Sequence, residues 1–282
     1  MEDNRSSIIS LKDYLPEYLE SLNNTENKGI LTHLPPLDSV IECLFPNSLV
    51  TIGGIPSSGK TSLCLQIARN VAKNGNKVFW IGVEHGISFY TQRILEQESG
   101  ISGKVIRNIT EISDQKTRKD LLGASDRISE YGSNLILVDA NSAPLSIEQM
   151  KEEISEFGAD KQILIIIDSI QALSFYLPDK CSENSIDGVV RAVSQLAGSL
   201  NATIICISRK SKSEANSNSL AGLSYTYGLS FDSNVVMFLQ VNKKKTDSQE
   251  VELFIAKNLR GPARISVKLH FNPEIGVFKE PD

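Results

Sequence analysis

The chain alternates between two hydrophobic patterns from position 47 to about position 207. Short, almost wholly apolar runs predict buried strands at 48–53, 77–83, 134–138, 162–168 and 202–207. Apolar residues at helical spacing predict helices at 62–73, 87–97, 146–157 and 186–200. Because strands that alternate with helices form crossover units, the pattern predicts an α/β fold with a mostly parallel central sheet flanked by helices.

Both ends of the chain depart from this alternation. Three late strands, joined by short polar turns without helices between them, predict an antiparallel C-terminal part at 234–241, 250–256 and 265–271. A short amphipathic helix near the N-terminus is predicted from apolar residues at helical spacing, which are Leu11, Leu15, Tyr18 and Leu22. A loop is expected at 23–36. We therefore divide the chain into an N-terminal segment, 1–28, and one domain, 29–282.

A glycine-rich segment joins the first strand of the predicted core to its first helix. It matches G-x-x-x-x-G-K-[ST], the P-loop, with Gly54, Ile55, Pro56, Ser57, Ser58, Gly59, Lys60 and Thr61, followed by Ser62. In such a loop the backbone N–H groups point toward phosphates. We expect Lys60 to reach the β- and γ-phosphates of ATP and the Thr61 hydroxyl to bind Mg²⁺. A chance glycine turn is the alternative, but it does not account for the matching strand and helix.

Composition narrows the class of protein only slightly. The net charge of −5 gives no support to nucleic-acid binding, although a ring can keep basic residues inside its channel. The scattered cysteines predict neither a zinc site nor a disulfide framework; they are Cys43, Cys64, Cys181 and Cys206. No apolar run is long enough for a membrane span, and no secretory signal is recognisable. We therefore expect a cytoplasmic protein without a membrane partner.

Two acidic residues stand at the ends of predicted parallel strands. Asp168 ends the apolar run 163–167 and is expected to hold Mg²⁺ through water, or otherwise to cap the next helix together with Ser169. Glu84 follows the strand after the P-loop helix. A carboxylate there can orient a water molecule in line with the γ-phosphate, so Glu84 is a candidate catalytic residue. A solvated glutamate at a strand end is the alternative.

A basic pair, Lys257 and Arg260, lies in a predicted turn between two late strands. Such a turn cannot easily reach the P-loop of its own chain, but it can reach a γ-phosphate across a subunit interface, as an arginine finger does. Taken alone, the pair is better explained as a charged hairpin turn.

Several motifs in order make the chain resemble the RecA-like ATPase core of DnaB-type replicative helicases, over about residues 9–280. The RadA/Sms branch is almost as similar. The motifs are the P-loop and the segments 83–84, 167–171, 232–239 and 255–262. This resemblance implies a RecA-like P-loop NTPase fold. It also implies that Glu84 polarises the attacking water and that Lys257 and Arg260 act in trans.

The resemblance implies an assembly as well. Residues 11–20 are similar to the linker helix that docks on the adjacent protomer in DnaB rings. By that resemblance the chain forms a homo-oligomer, a hexameric ring that binds ATP between subunits and grips single-stranded DNA in its channel.

The chain departs from these families in several ways. We find no counterpart of the large N-terminal domain of DnaB helicases, nor of the zinc finger and Lon-like domain of RadA/Sms. The strand that ends at Ile207 usually leads to Ser-Gln, a sensor of the γ-phosphate, but here it leads to Ser208 and Arg209. An expected Arg-Glu-Ser-Gly element is altered at 224–228, and the finger arginine comes one place late. Nucleotide binding is not threatened by these changes, whereas coupling of hydrolysis to DNA movement is.

Two loops, 175–187 and 209–227, are candidates for contacts to DNA. The second combines basic and aromatic residues, which suit backbone tracking and base stacking; they are Arg209, Lys210, Lys212, Tyr225 and Tyr227. A solvated loop is the alternative.

The sequence therefore predicts an ATP-hydrolysing helicase or translocase on single-stranded DNA. The rival is an ATP-switched scaffold or loader that assembles on a protein partner and unwinds nothing. Arg209 at the sensor position and the missing N-terminal domain favour the rival, while Glu84 and Asp168 favour the enzyme.

Overall fold

The structure, a computed structural model, describes residues 9–21, 29–109, 114–157, 162–176, 186–210, 219–223, 227–244 and 249–281. Its strands are β1 (Ser48–Gly54), β2 (Val78–Gly82), β3 (Leu135–Asp139), β4 (Leu164–Asp168), β5 (Thr203–Arg209), β6 (Val235–Lys244), β7 (Gln249–Asn258), β8 (Ile265–Asn272) and β9 (Val277–Lys279). They form a sheet in the order β3-β2-β4-β5-β1-β6-β7-β8-β9. The strands from β3 to β6 pair in parallel, and those from β6 to β9 pair antiparallel. The predicted fold class is confirmed.

The helices are α1 (Leu11–Ser21), α2 (Pro35–Ile41), α3 (Lys60–Lys73), α4 (Ile87–Ser99), α5 (Gly103–Arg107), α6 (Gln115–Tyr131), α7 (Ile147–Glu156), α8 (Ile170–Tyr176), α9 (Ile186–Ser199) and α10 (Tyr227–Asp232). The hydrophobic pattern predicted α1, α3, α4, α7 and α9 and missed the others. Of these, α6 is the longest, yet only Ala124 and Tyr131 are buried along it. A helix with so little apolar surface gives a weak periodic signal.

The predicted loop at 23–36 was wrong at its C-terminal end, because Pro35 and Pro36 occupy the first turn of α2. Proline is tolerated there since the first N–H groups of a helix have no partner within it. Residues 22–28, which include Leu22, lie outside the described residues.

Two hydrophobic clusters hold the helices against the sheet. Alternate residues of one strand face opposite sides, and β1 accordingly contributes Val50 and Ile52 to one cluster and Leu49 to the other. The first cluster includes residues of α2, α3, α4 and α6, and the second includes residues of α7, α8, α9 and α10. The sheet is therefore the middle layer of a three-layer domain.

One buried carboxylate links three helices on the first face. Glu98 of α4 forms ion pairs with Arg69 at 3.2 Å and Lys73 at 2.8 Å, both on α3, and with Arg127 of α6 at 3.0 Å. Burial acts to raise the pKa of Glu98, but the hydrogen bond from Lys73 and the charge of Arg69 outweigh it, so the pKa lies below its usual value. Ion pairs to one carboxylate therefore join the three helices α3, α4 and α6 on this face of the sheet.

Replacing Glu98 with Gln should lower the free energy of unfolding at pH 7 by about 3 kcal/mol, because a buried ion pair that loses one partner leaves the other uncompensated. Since the folded pKa is depressed, the contribution of Glu98 is present above the unfolded value, about 4.3, and is lost as the pH falls below it. Urea unfolding at several pH values measures both effects. Glu130→Gln, an exposed change on α6, is the control, and equal stability of the two variants at pH 7 would contradict the prediction.

Candidate nucleotide site

The parallel register brings the ends of four strands to one edge of the sheet. Gly54 of β1 lies opposite Arg209 of β5, and Asp168 of β4 lies opposite Gly82 of β2. Glu84 follows two residues after β2, where its backbone N–H donates to the Asp168 carbonyl at 3.3 Å. The P-loop, the two acidic residues and Arg209 therefore meet at the carboxyl edge, where open α/β sheets bind ligands.

The loop between β1 and α3 has the shape of a phosphate cradle. Gly59 has a φ of +95°, and a Cβ atom there would lie 3.0 Å from the ring of Phe271, so a side chain would be both strained and crowded. The Ser58 hydroxyl is buried and has no hydrogen-bond partner among the described residues. The Lys60 ammonium donates to the carbonyl of Ile55 at 2.7 Å. A loop that closes around its own lysine, with a spare buried hydroxyl, fits the phosphates of a nucleotide.

Thr61 and Asp168 form the pair expected at a magnesium site. The Thr61 hydroxyl donates to Oδ2 of Asp168 at 3.0 Å. Burial raises the pKa of Asp168 to about 6, and the charge of Glu84 acts in the same direction, against Thr61 and Lys60. Burial also lowers the pKa of Lys60 to about 8. Both shifts arise because buried charges lack compensation from solvent, and a bound phosphate and cation would supply it.

Glu84 is held at both carboxylate oxygens. Oε1 accepts a hydrogen bond from the Ser169 hydroxyl, and Oε2 lies 2.9 Å from Nη2 of Arg209. Partial burial acts to raise the pKa of Glu84, but these two partners outweigh it, so the pKa lies below its usual value. Glu84 is therefore an ionised, oriented carboxylate beside the P-loop.

These groups line a cavity of about 580 Å³. Its wall contains nine of the predicted site residues, namely Pro56, Ser57, Gly59, Lys60, Thr61, Ser62, Glu84, Asp168 and Arg209, together with Ser169 and Ile207. His85, Phe89 and Arg93 form a rim on α4 and its approach, and Phe271 and Pro273 come from the end of β8. Gly54, Ile55 and Ser58, also predicted for this site, are not among the residues that line the cavity. The volume is in the range of small-molecule sites.

Lys257 and Arg260 lie away from this cavity. The Lys257 ammonium donates to the carbonyls of Ser230 and Phe231 at the end of α10, at 3.0 and 2.9 Å. The Arg260 guanidinium lies 4.2 Å from the ring centroid of Phe45, which precedes β1. Both residues are thus near the amino edge of the sheet, and at about 3.3 Å per residue β1 separates Arg260 from its own P-loop by roughly 20 Å.

The predicted DNA contacts are only partly described. Arg209 lines the nucleotide cavity, since it is still the last residue of β5 and pairs with Glu84. Lys210 is 4% exposed, with its ammonium 4.5 Å from the ring centroid of Phe238, so in this structure it does not face solvent as a contact to DNA requires. Lys212, Tyr225 and the Tyr227 side chain lie outside the described residues, as does most of both predicted loops.

Sequence reasoning missed the partners that orient these groups. Ser169 appeared only as a possible helix cap, and Gln171 was only one letter of a motif. Gln171 donates to the Ser208 hydroxyl at 2.8 Å and accepts from the Arg209 backbone N–H at 3.2 Å, which fixes the end of β5 to α8. The ordered motif 167–171 was the only signal for this role.

None of the described helices combines the length and apolarity that a bilayer span needs. The described part of the chain also holds no group of three or more His, Cys, Asp or Glu side chains arranged for a metal ion.

Comparison with known proteins gives consistent matches. The chain is 25% identical to the replicative DNA helicase DnaB of Treponema pallidum, over 95% of this chain and 61% of that protein. It is 28% identical to a probable plasmid replicative DNA helicase of Chlamydia trachomatis, over 83% of this chain and 51% of that protein. The chain thus spans about half to three fifths of these relatives.

The fold has solved counterparts as well. A DnaB-like replicative helicase, whose structure was solved together with its interactions with primase, superposes with a TM-score of 0.80 at 21% identity. The superposition covers 98% of this chain and 68% of that chain. The family model of the DnaB-like helicase C-terminal domain matches residues 29–280. The resemblance predicted from the ordered motifs is confirmed, and the chain belongs to the DnaB-like helicase C-terminal domain family.

Proposed function

We propose that the chain is the ATP-hydrolysing motor of a ring-forming helicase or translocase that moves on single-stranded DNA. The observation that carries this proposal is the convergence at one sheet edge of a P-loop, the Thr61–Asp168 pair and an oriented Glu84. The names of the related proteins, which are replicative DNA helicases, support the choice of DNA.

Several cavity residues have distinct tasks in hydrolysis. The N–H groups of the P-loop and the start of α3 bind phosphate oxygens, and Lys60 leaves Ile55 to bind the β- and γ-phosphates. Glu84 accepts a hydrogen bond from the attacking water and orients it toward the γ-phosphate. Thr61 and Asp168 would hold Mg²⁺, Asp168 through water, and the bound ion would neutralise charge that develops on the phosphates. Phe271 and Pro273 form part of the cavity wall.

Assembly into a ring would complete the site. The Arg260 guanidinium lies on the opposite edge of the sheet from its own cavity and forms no ion pair with the described residues. Such a group is suited to reach the γ-phosphate held by a neighbouring subunit. Lys257 could act beside it only after leaving the carbonyls at the end of α10.

The N-terminal helix supports assembly independently. No residue of α1 is buried, and its five large apolar side chains, Leu11, Tyr14, Leu15, Tyr18 and Leu19, are 43 to 75% exposed. A helix with an uncovered apolar face is suited to dock on another surface, and we infer that it docks on the adjacent subunit.

Contacts to DNA are proposed for the segment that leaves β5 at the carboxyl edge. Lys212, Tyr225 and Tyr227 remain its candidate residues, while Arg209 and Lys210 would have to leave their present partners to take part.

One observation favours the scaffold or loader instead. Arg209 occupies an oxygen of Glu84 that would otherwise face water, which is a state unsuited to hydrolysis. A chain fixed in that state would bind ATP, assemble on a protein partner and turn ATP over very slowly.

ATP turnover by the full chain should increase when single-stranded DNA is added.

Lys60→Ala should abolish turnover, because the charge of Lys60 serves the phosphates. Glu84→Gln should still bind ATP but hydrolyse it ~10²–10⁴-fold more slowly, the usual contribution of a general base. Phosphate release measures turnover, a fluorescent ATP analogue measures binding, and Glu130→Gln is a control carboxylate far from the cavity. ATP-dependent assembly without turnover, with or without DNA, would favour the scaffold.

Arg260→Ala should lower ATP turnover by at most ~10³-fold. That factor is the lower end of the range for an arginine finger. Arg260 is proposed to act in trans, so a mixture of the inactive Arg260→Ala and Lys60→Ala chains should regain activity. In mixed rings, some interfaces combine an intact P-loop with an intact arginine. Turnover against mixing ratio tests this, with subunit exchange verified by labelled chains. Absence of any recovery in exchanging mixtures would exclude shared sites.

A chain that begins at residue 29 should assemble less well but melt at nearly the same temperature, because no residue of α1 is buried in the isolated chain. Each docked apolar side chain contributes about 1.5–3 kcal/mol to the interface. Mass measurement with an ATP analogue and thermal melting separate the two effects, and Leu15→Glu with Leu19→Glu in the full chain is the matched variant. A lower melting temperature with an unchanged oligomer would show that α1 packs on its own domain.

A further inference from the structure

Arg209 lies in the candidate nucleotide cavity at a position where the sequence departs from the family pattern. Where the usual sequence has Ser-Gln, this chain has Ser208 and Arg209. The guanidinium Nη2 lies 2.9 Å from Oε2 of Glu84, and the other oxygen of Glu84 accepts from Ser169. Each oxygen of the catalytic candidate therefore already has a hydrogen-bond or ion-pair partner.

The backbone of Arg209 is fixed while its side chain is free to reorient. The Arg209 N–H donates to Gln171, and the next N–H, of Lys210, donates to the Gly54 carbonyl at the start of the P-loop at 3.0 Å. The side chain is 57% exposed and lines the same cavity as Lys60 and Thr61. A guanidinium on this short tether can exchange one partner in the cavity for another without moving β5.

The two available partners differ in strength. The contact with Glu84 is a single short ion pair, whereas a phosphate group offers three oxygens to the planar fork of a guanidinium and is bound in a bidentate manner. A γ-phosphate would also bring negative charge toward Glu84, and moving the guanidinium between the two charges relieves their repulsion.

We propose that Arg209 holds Glu84 until the γ-phosphate of ATP displaces it, so that Arg209 is the positioning residue through which the site distinguishes ATP from ADP. The inference rests on the proposed function of the cavity. With ADP bound, the Arg209–Glu84 pair stays closed and Glu84 does not orient water. With ATP bound, the guanidinium moves to the γ-phosphate, and Oε2 of Glu84 becomes available to the attacking water.

A double-mutant cycle tests the proposal. Dissociation constants for a non-hydrolysable ATP analogue and for ADP are measured on the wild type, Arg209→Ala, Glu84→Gln and the double variant. Arg209→Ala should weaken binding of the analogue about tenfold, the size of a charged hydrogen bond, and change ADP binding less than twofold. Glu84→Gln should tighten binding of the analogue because it releases the guanidinium, and this gain should vanish in the Arg209→Ala background.

Two matched variants separate this role from loss of charge alone. Arg93→Gln removes the same charge from the cavity rim, where Arg93 pairs with Glu96 at 2.8 Å rather than with Glu84, so it should change binding of the analogue and of ADP by similar factors. Arg209→Lys keeps the charge without the fork and should retain part of the preference for the analogue. Thermal melting verifies that each variant is folded.

The proposal is overturned if Arg209→Ala changes the binding of the analogue and of ADP equally. It is also overturned if Glu84→Gln tightens binding of the analogue at least as much without Arg209 as with it. Direct repulsion between Glu84 and the phosphate would then explain the gain. If the wild type binds neither nucleotide, the proposed function of the cavity fails, which is a separate result.

Discussion

The shared carboxyl edge of β1, β2, β4 and β5 is the constraint on which the site depends. Neighbouring strands lie about 4.8 Å apart, so groups at the ends of four adjacent parallel strands are confined to a strip roughly 15 Å wide. The register sets their order across this strip, with Gly54 beside Arg209 and Asp168 beside Gly82. The charged side chains of the site, on Lys60, Glu84, Asp168 and Arg209, are far apart in sequence. Strand pairing, together with the P-loop that leads from β1 into α3, brings them into one cavity.

That confinement makes the cavity electrostatically unfavourable without a ligand. Burial raises the pKa of Asp168 to about 6 and lowers that of Lys60 to about 8, so each group has less tendency to carry its charge than it would in water. A nucleotide phosphate would need the positive charge of Lys60, and a divalent cation would need the negative charge of Asp168. A bound phosphate and a divalent cation would offset both pKa shifts.

Much of this arrangement could be predicted from the sequence, because hydrophobic periodicity and the residues that end strands and helices are local signals. The strand that leads into Gly54, the apolar run that ends at Asp168 and the position of Glu84 all follow from short, local patterns. Contacts between distant segments are not encoded in this way. The pairing of Arg209 with Glu84, the burial of Lys210 over Phe238 and the use of Lys257 at the end of α10 each depend on strand order. The polar helix α6 was missed for a different reason, since it buries few apolar residues and is tied to the domain partly by ion pairs.

The balance of charges in the cavity explains why an arginine at position 209 has a larger effect than a longer phosphate-sensing side chain alone would have. Lys60 and Arg209 balance Asp168 and Glu84, while Arg93 is paired with Glu96 on the rim. A neutral side chain in place of Arg209 could still donate a hydrogen bond to a phosphate, but it would leave the four-strand edge with one net negative charge facing an anionic ligand. It would also leave Glu84 with Ser169 alone, so that the carboxylate would be oriented but not neutralised. In this chain the same guanidinium would therefore lower the electrostatic cost of admitting a triphosphate and restrain the carboxylate that we propose acts on it.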